Sequence, residues 1–372
     1  MSQFPGPSKS APAPLSSTAL VLRFGVIGAI VCAGAAAFAY AGGWFSPARL
    51  TPSRLIETFQ EVNGFYPGFR RNHAKGICFS GHFESNGQGA DLSKASLFAP
   101  GRVTPVTGRF ALAGGQPYAA DAETTVRSMA VRFRLDNGEE WRTGMNDIPV
   151  FAVNTPEAFR DQLLAGRKDP ATGKPDPAAM AAFLAAHPET ARAAALIKAR
   201  SISSGFDDDT YNGLNTFLFV NSAGVATPVR WSMVPIAPFI SEEPEKTVKI
   251  DKDFLFVDLI NEAGDHPLQW RLVVMVGKPG DPTMDATLPW PSEREHRELG
   301  SLTIESLQDE ADGRCRDVNF DPLILPQGIE ASDDPLLSAR SAVYSQSFTR
   351  REGEPKTPSA VMMPNGTKGD KS

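Results

Sequence analysis

The strongest constraint on the fold is the stretch "AVRFRLDNGEEWRTG" at residues 130–144, where apolar and polar side chains alternate on both sides of Asp136-Asn137-Gly138. Alternation with a period of two indicates half-buried strands, and an Asn-Gly pair between two such runs indicates a tight hairpin. Similar short segments extend from about Gly76 to Phe151. This region therefore predicts antiparallel strands.

A second set of strands is predicted in "TFLFVNSAGVATPVRWSMVP", "FLFVDLI" and "LQWRLVVMVG", at residues 216–235, 254–260 and 268–277. Between the two sets lie "NTPEAFRDQLLAGR" and the Ala-rich "DPAAMAAFLAAHPETARAAALIKAR", which predict helices interrupted at Pro188. Hairpin strands with helices in a separate block favour an α+β domain on an antiparallel sheet or barrel.

The sequence carries no charged residue between Arg23 and Arg49. Because a membrane helix needs roughly 20 apolar residues, we predict a transmembrane anchor, or an uncleaved signal, at residues 24–47. Residues 1–23 would form a cytoplasmic leader, and the rest would be exported to the periplasmic side of a bacterial-type inner membrane. The alternative is a cleaved signal peptide, since "AYA" before Gly42 fits a cleavage site.

The 372-residue chain has a formal net charge of -6, and no cluster of Lys and Arg offsets that average. This removes the electrostatic reason to expect nucleic acid as a partner. Cys32 falls in the apolar run, which leaves Cys78 and Cys315 as a pair that an oxidising compartment could join. Their spacing alone does not decide their state.

Two further helices are predicted at the edges of the globular part. "TPSRLIETFQEVNGF" at residues 51–65 is amphipathic. "SDDPLLSARSAVY" begins the last helix, with Pro335 in its first turn and Arg340 one turn before Tyr344. The polar, Pro- and Gly-rich residues 352–372 predict a disordered tail.

Five histidines are scattered through the chain, and none has a metal-ligand spacing with a third ligand nearby. GxSxG, P-loop and GxGxxG motifs are absent. Residue type alone makes each histidine an ordinary loop or core residue. His73 stands apart only because of its setting, "GFRRNHAKGICFSGHF".

Four segments of the chain, in order, resemble motifs of the haem catalases. "RRNHAKG" followed by "GHF" is similar to the distal histidine motif, with His73 and, three residues earlier, Arg70. "VTPVTGRFAL" resembles the segment of a second propionate-binding arginine, which implies Arg109. "TGMNDIPVF" is similar to the distal asparagine motif and implies Asn146.

The fourth segment is "SARSAVYSQSFTRR" at residues 338–351, which resembles the proximal motif. The likeness implies Tyr344 as the haem-iron ligand, Arg340 as its partner and Arg351 as a third propionate-binding arginine. Tyrosine ligates ferric iron as phenolate, and an adjacent guanidinium favours that anion. With "RSMAVRFRLDNGEEWRTGMN" and "VNFDPLILPQGIEASDDPLL", the segment is closest to the small catalase-related peroxidases.

The resemblance implies a catalase-type β-barrel with a helical insert and C-terminal helices over residues 48–351, binding heme b. His73 would move the peroxide proton and Asn146 would donate a hydrogen bond to the peroxide. We also expect four apolar side chains to line the haem pocket. They are Val106, Phe133, Phe151 and Phe159.

The match departs from the family at two positions. Ala111 stands where the haem catalases place a hydroxyl residue that hydrogen-bonds the distal histidine, and Asp147 follows Asn146 where an uncharged residue is usual. Both favour a minimal haem peroxidase that reduces hydrogen peroxide or organic hydroperoxides, protects against oxidative stress and takes electrons from an unidentified donor. The alternatives are a true catalase and a hydroperoxide-rearranging enzyme. A monomer or small homo-oligomer is expected.

Overall fold

The computed structural model describes residues 16–42, 44, 50–241 and 251–364. Residues 1–51 and 52–372 form separate compact units. In the first, helix α1, Ser17–Ala41, begins at Ser16, whose hydroxyl accepts a hydrogen bond from the Ala19 amide. Its 25 residues are long and apolar enough to cross a membrane. The helix begins seven residues earlier than the predicted span. Of the predicted leader and span, residues 1–15, 43 and 45–47 lie outside the described residues.

The second unit is built on an antiparallel barrel. Its strands are β1 Gly76–Ser85, β2 Val103–Leu112, β3 Arg127–Arg134, β4 Glu140–Asn146, β5 Tyr211–Asn212, β6 Phe217–Val220, β7 Ala226–Pro235, β8 Leu268–Val276, β9 Glu295–Gln308 and β10 Ile329–Ala331. Eight of them form the ring β7-β5-β4-β3-β2-β1-β9-β8, which closes because β8 pairs with β7. The short strands β6 and β10 extend from β7. The predicted antiparallel barrel is confirmed.

The predicted hairpin at residues 130–144 is present and orients the site. Strands β3 and β4 pair around a turn in which Gly138 has φ +85°, a conformation that favours glycine. Alternate residues such as Phe110, Met129 and Trp141 belong to the buried core. Because side chains alternate between the two faces of a strand, Arg109, Ser128 and the residues in step with them lie on the other face.

The helices of the second unit are α2 Pro52–Asn63, α3 Pro156–Ala165, α4 Pro177–Ala186, α5 Pro188–Lys198, α6 Phe254–Asp265 and α7 Pro335–Glu352. The predicted insert corresponds to α3, α4 and α5. Thr155 and Asp176 cap α3 and α4 through their side-chain oxygens, and Pro188 separates α4 from α5. One helix, α7, follows the barrel within the described residues.

One secondary-structure prediction needs correction, and one strand was not predicted. "FLFVDLI" was predicted as a strand but forms the first part of α6, whose Leu255, Phe256 and Leu259 are buried with helical spacing. A short apolar run does not distinguish a buried strand from a buried helix by periodicity. The charged stretch around His296 gave no strand signal, yet it opens the 14-residue strand β9.

The chain after α7 differs from the disordered tail that we expected. Residues 353–364 pack on the domain: Glu354 accepts a hydrogen bond from the Gly68 amide at 2.8 Å and pairs with Arg71. Val361 is buried in the main core cluster. A few anchoring contacts therefore order a segment whose composition is that of a linker. Residues 365–372 lie outside the described residues.

Candidate active site

A cleft enclosing ≈ 1250 Å³, partly open to solvent, lies along one face of β2, β3 and β4 and is bounded by α2 and α7. Its lining is mainly apolar, as in most sites for small molecules and cofactors. Nine of the predicted site residues line it. They are Arg70, His73, Arg109, Asn146, Phe151, Phe159, Arg340, Tyr344 and Arg351.

The structure corrects the prediction for Val106 and Phe133. Both belong to the barrel core, and Phe133 stacks on Trp141 with ring centroids 4.7 Å apart. They are in step with the inward-facing residues of their strands, whereas Arg109 and Ala130 are in step with the cleft-facing ones. The cleft lies outside the barrel, and the motifs alone do not tell which face of a strand meets the cofactor.

Tyr344 lies in α7, which Asp334 caps by accepting a hydrogen bond from the Leu336 amide at 2.9 Å. Arg340, one turn earlier, has its guanidinium carbon 6.0 Å from the Tyr344 ring centroid. Arg340 donates to the side-chain oxygen of Asn215, which in turn donates to Asp334 at 2.7 Å. This chain of contacts holds the guanidinium next to the tyrosine.

His73 is held in an unusual conformation. Its φ of +53° lies in the left-handed region, which costs a non-glycine residue energy and is often found at functional sites. Burial, then the positive charges of Arg109 and Arg340, lower its pKa to about 3. The ring faces the walled cleft, so it is only half-buried by surface area yet strongly desolvated. His73 is therefore a neutral imidazole at physiological pH.

Ser128 joins His73 to Asn146. Its hydroxyl oxygen lies 3.0 Å from His73 Nδ1 and 2.5 Å from Asn146 Oδ1. Ser128 lies on β3, directly opposite Ala111 of β2, and both residues line the cleft. The structure therefore supplies a hydroxyl partner for His73 although position 111 is alanine.

Three arginines meet around one carboxylate. Glu310 accepts hydrogen bonds from Arg70 Nη1 at 2.9 Å and from Arg109 Nε at 2.7 Å, and all three side chains are largely buried. Burial, then the charges of Arg351 and Arg109, lower the pKa of Arg70 well below its ordinary value. Burial raises the pKa of Glu310, but Arg109 and Arg70 outweigh it and hold that pKa below its ordinary value.

Arg351 completes the cluster from the last turn of α7. It donates to the Arg316 carbonyl at 3.1 Å, and burial lowers its pKa to about 10. Its Nε is buried and has no acceptor among the described residues. The three guanidinium groups thus exceed the single Glu310 carboxylate by two positive charges, which suits an anionic ligand.

A disulfide between Cys78 and Cys315 supports this cluster, and it settles the open state of these cysteines. It ties β1 to the loop whose Cys315 and Val318 carbonyls accept hydrogen bonds from Arg70 Nη2 at 3.0 and 3.1 Å. Tyr344 packs against the same small cluster. The disulfide therefore fixes a loop that touches both the arginines and the tyrosine.

The apolar wall of the cleft is aromatic. Phe151 stacks on Phe159 with ring centroids 5.8 Å apart, and Phe59 of α2 approaches Phe159 at the same distance. Leu55 and Ile56 continue this wall along α2. Such a surface suits a flat apolar group rather than a strongly solvated one.

Comparison with known proteins decides the family. The family model for catalase matches residues 43–363. The chain is 34% identical over 313 residues to a catalase-related peroxidase of Synechococcus elongatus, covering 82% of this chain and 90% of that protein. The chain belongs to the catalase family.

Two more similarities agree with this. A catalase-related peroxidase of Mycolicibacterium paratuberculosis is 32% identical over 305 residues, covering 82% of this chain and 96% of that protein. The structure of a bacterial catalase superposes with a TM-score of 0.68 at 22% identity and covers 83% of this chain. That match shows the fold. This catalase-family chain spans 63% of the length of that bacterial catalase.

Catalases imply a haem, and the cleft fits one. A Cβ placed on Gly144 would lie 3.6 Å from the Tyr344 hydroxyl and 3.8 Å from Arg340 Nη2, so a larger side chain there would fill the space between β4 and α7. Ala111 and Ala130 also line the cleft, and their small side chains leave space above the same face of the sheet. The two excess positive charges and the buried Arg351 Nε match two propionates.

Three residues of this catalase-family site carried no motif signal. They are Ser128, Asn215 and Glu310. Ser128 occupies an ordinary position in a strand, and Glu310 is 201 residues from Arg109 in sequence. The absence of a hydroxyl at Ala111 is the sequence feature that could have indicated a substitute partner for His73.

Proposed function

We propose that the protein is a haem-dependent peroxidase that reduces hydrogen peroxide or organic hydroperoxides and protects against oxidative stress. The observation that carries this proposal is the meeting, in one cleft, of a neutral His73 and an Arg340–Tyr344 pair. A module that only bound or stored haem would need the tyrosine and arginine, but not a desolvated histidine joined to Asn146.

Heme b would be held by residues at two ends of the cleft. Tyr344 would ligate the iron as phenolate, with Arg340 favouring the anion. Arg70, Arg109 and Arg351 would bind the propionates through charge-assisted hydrogen bonds. When bound, the haem supplies the redox chemistry that cleaves the peroxide O–O bond.

His73 moves the proton. As a neutral imidazole it can accept the proton of a peroxide at Nε2 and deliver it to the oxygen that leaves as water or as an alcohol. A protonated histidine could not begin this transfer, and the lowered pKa of His73 keeps the base available. Because the cleft is largely apolar, few waters compete for that proton.

Asn146 and the aromatic wall orient the substrate. The side-chain oxygen of Asn146 faces Ser128, so its amide nitrogen is left to donate to a peroxide oxygen. Phe151 and Phe159 offer an apolar surface that accommodates the carbon chain of an organic hydroperoxide. Electrons for turnover would come from a donor that the cleft does not identify.

Two relatives that this chain matches over most of their length are catalase-related peroxidases. This similarity supports peroxidase activity. Catalase activity is the second candidate. Ser128 favours it, because a hydroxyl on His73 removes one reason to expect weak catalase turnover at an Ala111 site. The two candidates differ in whether a second peroxide or an organic donor returns the enzyme to its resting state.

The test uses full-length, haem-loaded protein with hydrogen peroxide and with cumene hydroperoxide. Oxygen release without a donor indicates catalase, donor oxidation with an alcohol product indicates peroxidase, and an epoxide or allene oxide indicates rearrangement. We expect His73→Ala to lower peroxide turnover by at least about 100-fold with haem retained. His82→Ala, at a partly exposed position on β1 outside the cleft lining, is the matched control.

Tyr344→Phe tests the other side of the site, since loss of the phenolate must change the ferric absorption spectrum. A purified protein that takes up no haem would refute the proposal as a whole. Full turnover by His73→Ala would refute the role of the histidine alone.

We also propose that α1 anchors the enzyme in a bacterial-type inner membrane with the catalytic part in the periplasm. The apolar helix and the Cys78–Cys315 disulfide, which an oxidising compartment favours, support this location. Mass spectrometry of the mature N-terminus distinguishes a retained anchor from a cleaved signal. Light scattering of the purified protein distinguishes a monomer from a small homo-oligomer.

A further inference from the structure

The Ser128 hydroxyl contacts two polar groups, and the number of available protons decides the direction of each hydrogen bond. A serine hydroxyl has one proton to donate and can accept as well. Its two neighbours are His73 Nδ1 at 3.0 Å and Asn146 Oδ1 at 2.5 Å. Since the amide oxygen of Asn146 can only accept, the hydroxyl proton of Ser128 goes to it. The bond to His73 must then run from Nδ1–H to the serine oxygen.

This direction of donation fixes the state of both distal residues. A neutral imidazole carries one N–H, so a proton on Nδ1 leaves Nε2 as the unprotonated base. The amide nitrogen of Asn146 has no hydrogen-bond acceptor among the described residues, and Asn146 lines the cleft. The opposite arrangement, with the amide reversed and the proton on Nε2, would leave His73 unable to accept a proton from a peroxide.

We propose that Ser128 is the positioning residue of the distal site: its hydroxyl selects the Nδ1–H tautomer of His73 and the matching orientation of the Asn146 amide. This inference rests on the proposed peroxidase function and deepens it. Ser128 acts through its two neighbours and does not itself touch the reacting oxygens. Ser128 lies on β3, and its strand partner on β2 is Ala111. Ala111 lines the same cleft but has no hydroxyl, so Ser128 takes the role that a hydroxyl at residue 111 would have.

The geometry also explains why such a residue is needed. The left-handed backbone of His73 sets where its ring enters the cleft but does not decide which nitrogen carries the proton. The backbone at Leu112, which acts against the lowered pKa of His73, is the other group that bears on this choice. Within the part of the chain that the structure describes, only Ser128 contacts both the imidazole and Asn146, so it couples the base to the amide that would donate to the peroxide.

The first test reads the tautomer directly. Full-length protein in detergent, labelled with 15N-histidine, is studied by NMR without cofactor and with zinc protoporphyrin, which is diamagnetic. His73→Gln identifies the signals of His73. We expect the Nδ1–H form in the wild type and in Ser128→Thr, and a mixture of tautomers in Ser128→Ala. Ser80→Ala, which removes a solvent-facing hydroxyl on β1 that contacts Ser306, should leave His73 unchanged.

The second test moves the hydroxyl across the strand pair. Because residues 111 and 128 are register partners, the double variant A111S/S128A places a serine on the same face. We expect it to restore the Nδ1–H tautomer that Ser128→Ala loses. In haem-loaded protein, cyanide association, which requires a distal base, should slow by about tenfold or more in Ser128→Ala and recover in the double variant and in Ser128→Thr.

These readouts separate the inference from the proposed function. If Ser128→Ala keeps a pure Nδ1–H tautomer and binds cyanide within twofold of the wild type, the tautomer does not depend on the hydroxyl and the role of Ser128 is refuted. If no haem is taken up, the proposed function fails, while the tautomer of the unloaded protein still tests Ser128. Recovery in Ser128→Thr but not in the double variant would still support the role of the hydroxyl at residue 128 and would show that residue 111 cannot replace it.

Discussion

Arg109 and Glu310, 201 residues apart in sequence, form a buried salt bridge in which Nε lies 2.7 Å from Oε1 and Nη2 lies 3.3 Å from Oε2. The same carboxylate binds Arg70. Removing one partner from a buried ion pair leaves the other charge uncompensated, which costs more than losing an exposed pair. Glu310 therefore holds Arg70 and Arg109 together.

Glu310→Gln should lower the free energy of unfolding of the cofactor-free protein by about 3 kcal/mol, because Arg70 and Arg109 lose their shared counter-charge. Haem propionates supply negative charge to the same arginines, so haem should restore more stability to the variant than to the wild type. Urea unfolding with and without haem measures both quantities. Glu305→Gln, an exposed glutamate on β9, should stay within about 0.5 kcal/mol of the wild type.

The contact chain from Arg340 through Asn215 to Asp334 predicts two separable effects. Asn215→Ala leaves Asp334 without its 2.7 Å donor and Arg340 without its acceptor, so we expect a loss of about 1–3 kcal/mol of stability and a changed ferric spectrum. Asn215→Asp keeps an acceptor for Arg340 but faces Asp334 with a second carboxylate. It should retain the spectrum and lose stability. A spectrum unchanged in Asn215→Ala would contradict this role.

Loss of the disulfide should destabilise the domain. The Cys78–Cys315 bond closes a loop of 237 residues, and chain-entropy arguments give up to about 5 kcal/mol for a loop of that size. The double variant C78A/C315A should melt at a lower temperature and bind haem more weakly, because the Cys315 carbonyl holds Arg70. Cys32→Ala removes the free cysteine of α1 and is the control. Equal melting of both variants would show that the bond is dispensable.

Asp209 predicts a pH dependence of stability. Burial and the neighbouring Asp147 raise its pKa to about 7, against 3.8 for an ordinary aspartate, although it pairs with the buried Arg127. A carboxyl whose folded pKa is raised contributes stability that is complete below about pH 4 and is lost as pH rises through 7. Asp209→Asn should remove this loss, which is on the order of 3 kcal/mol in the free energy of unfolding between pH 4 and 8.

Chemical unfolding at a series of pH values gives the free energy of unfolding of the variant and of the wild type. The pH dependence of the difference between the two checks this prediction. Asp136→Asn, at the exposed hairpin turn, should leave the pH dependence unchanged. Parallel curves for Asp209→Asn and the wild type would mean that Asp209 is ionised in the folded protein throughout this range.

The fold was predictable where local patterning is strong. Alternation around Gly138 predicted β3 and β4, and capped, Ala-rich segments predicted α3 to α5. The errors fell where local signals are ambiguous. The apolar run from Phe254 forms a helix because its spacing buries one face against the barrel. The charged residues around His296 form a strand because β8 pairs with them.

The candidate site also combines residues that local motifs predict with residues that only long-range contacts bring together. By itself, the sequence determined the candidates for the chemistry, because short motifs contain them at fixed local spacings: His73, Asn146, Arg340 and Tyr344. Only the tertiary structure decided what holds them. Glu310 and Asn215 reach their partners across more than 100 residues, and Ser128 acts through strand register. Register and long-range pairing depend on how the barrel closes, because strand pairing brings together residues that no local pattern relates.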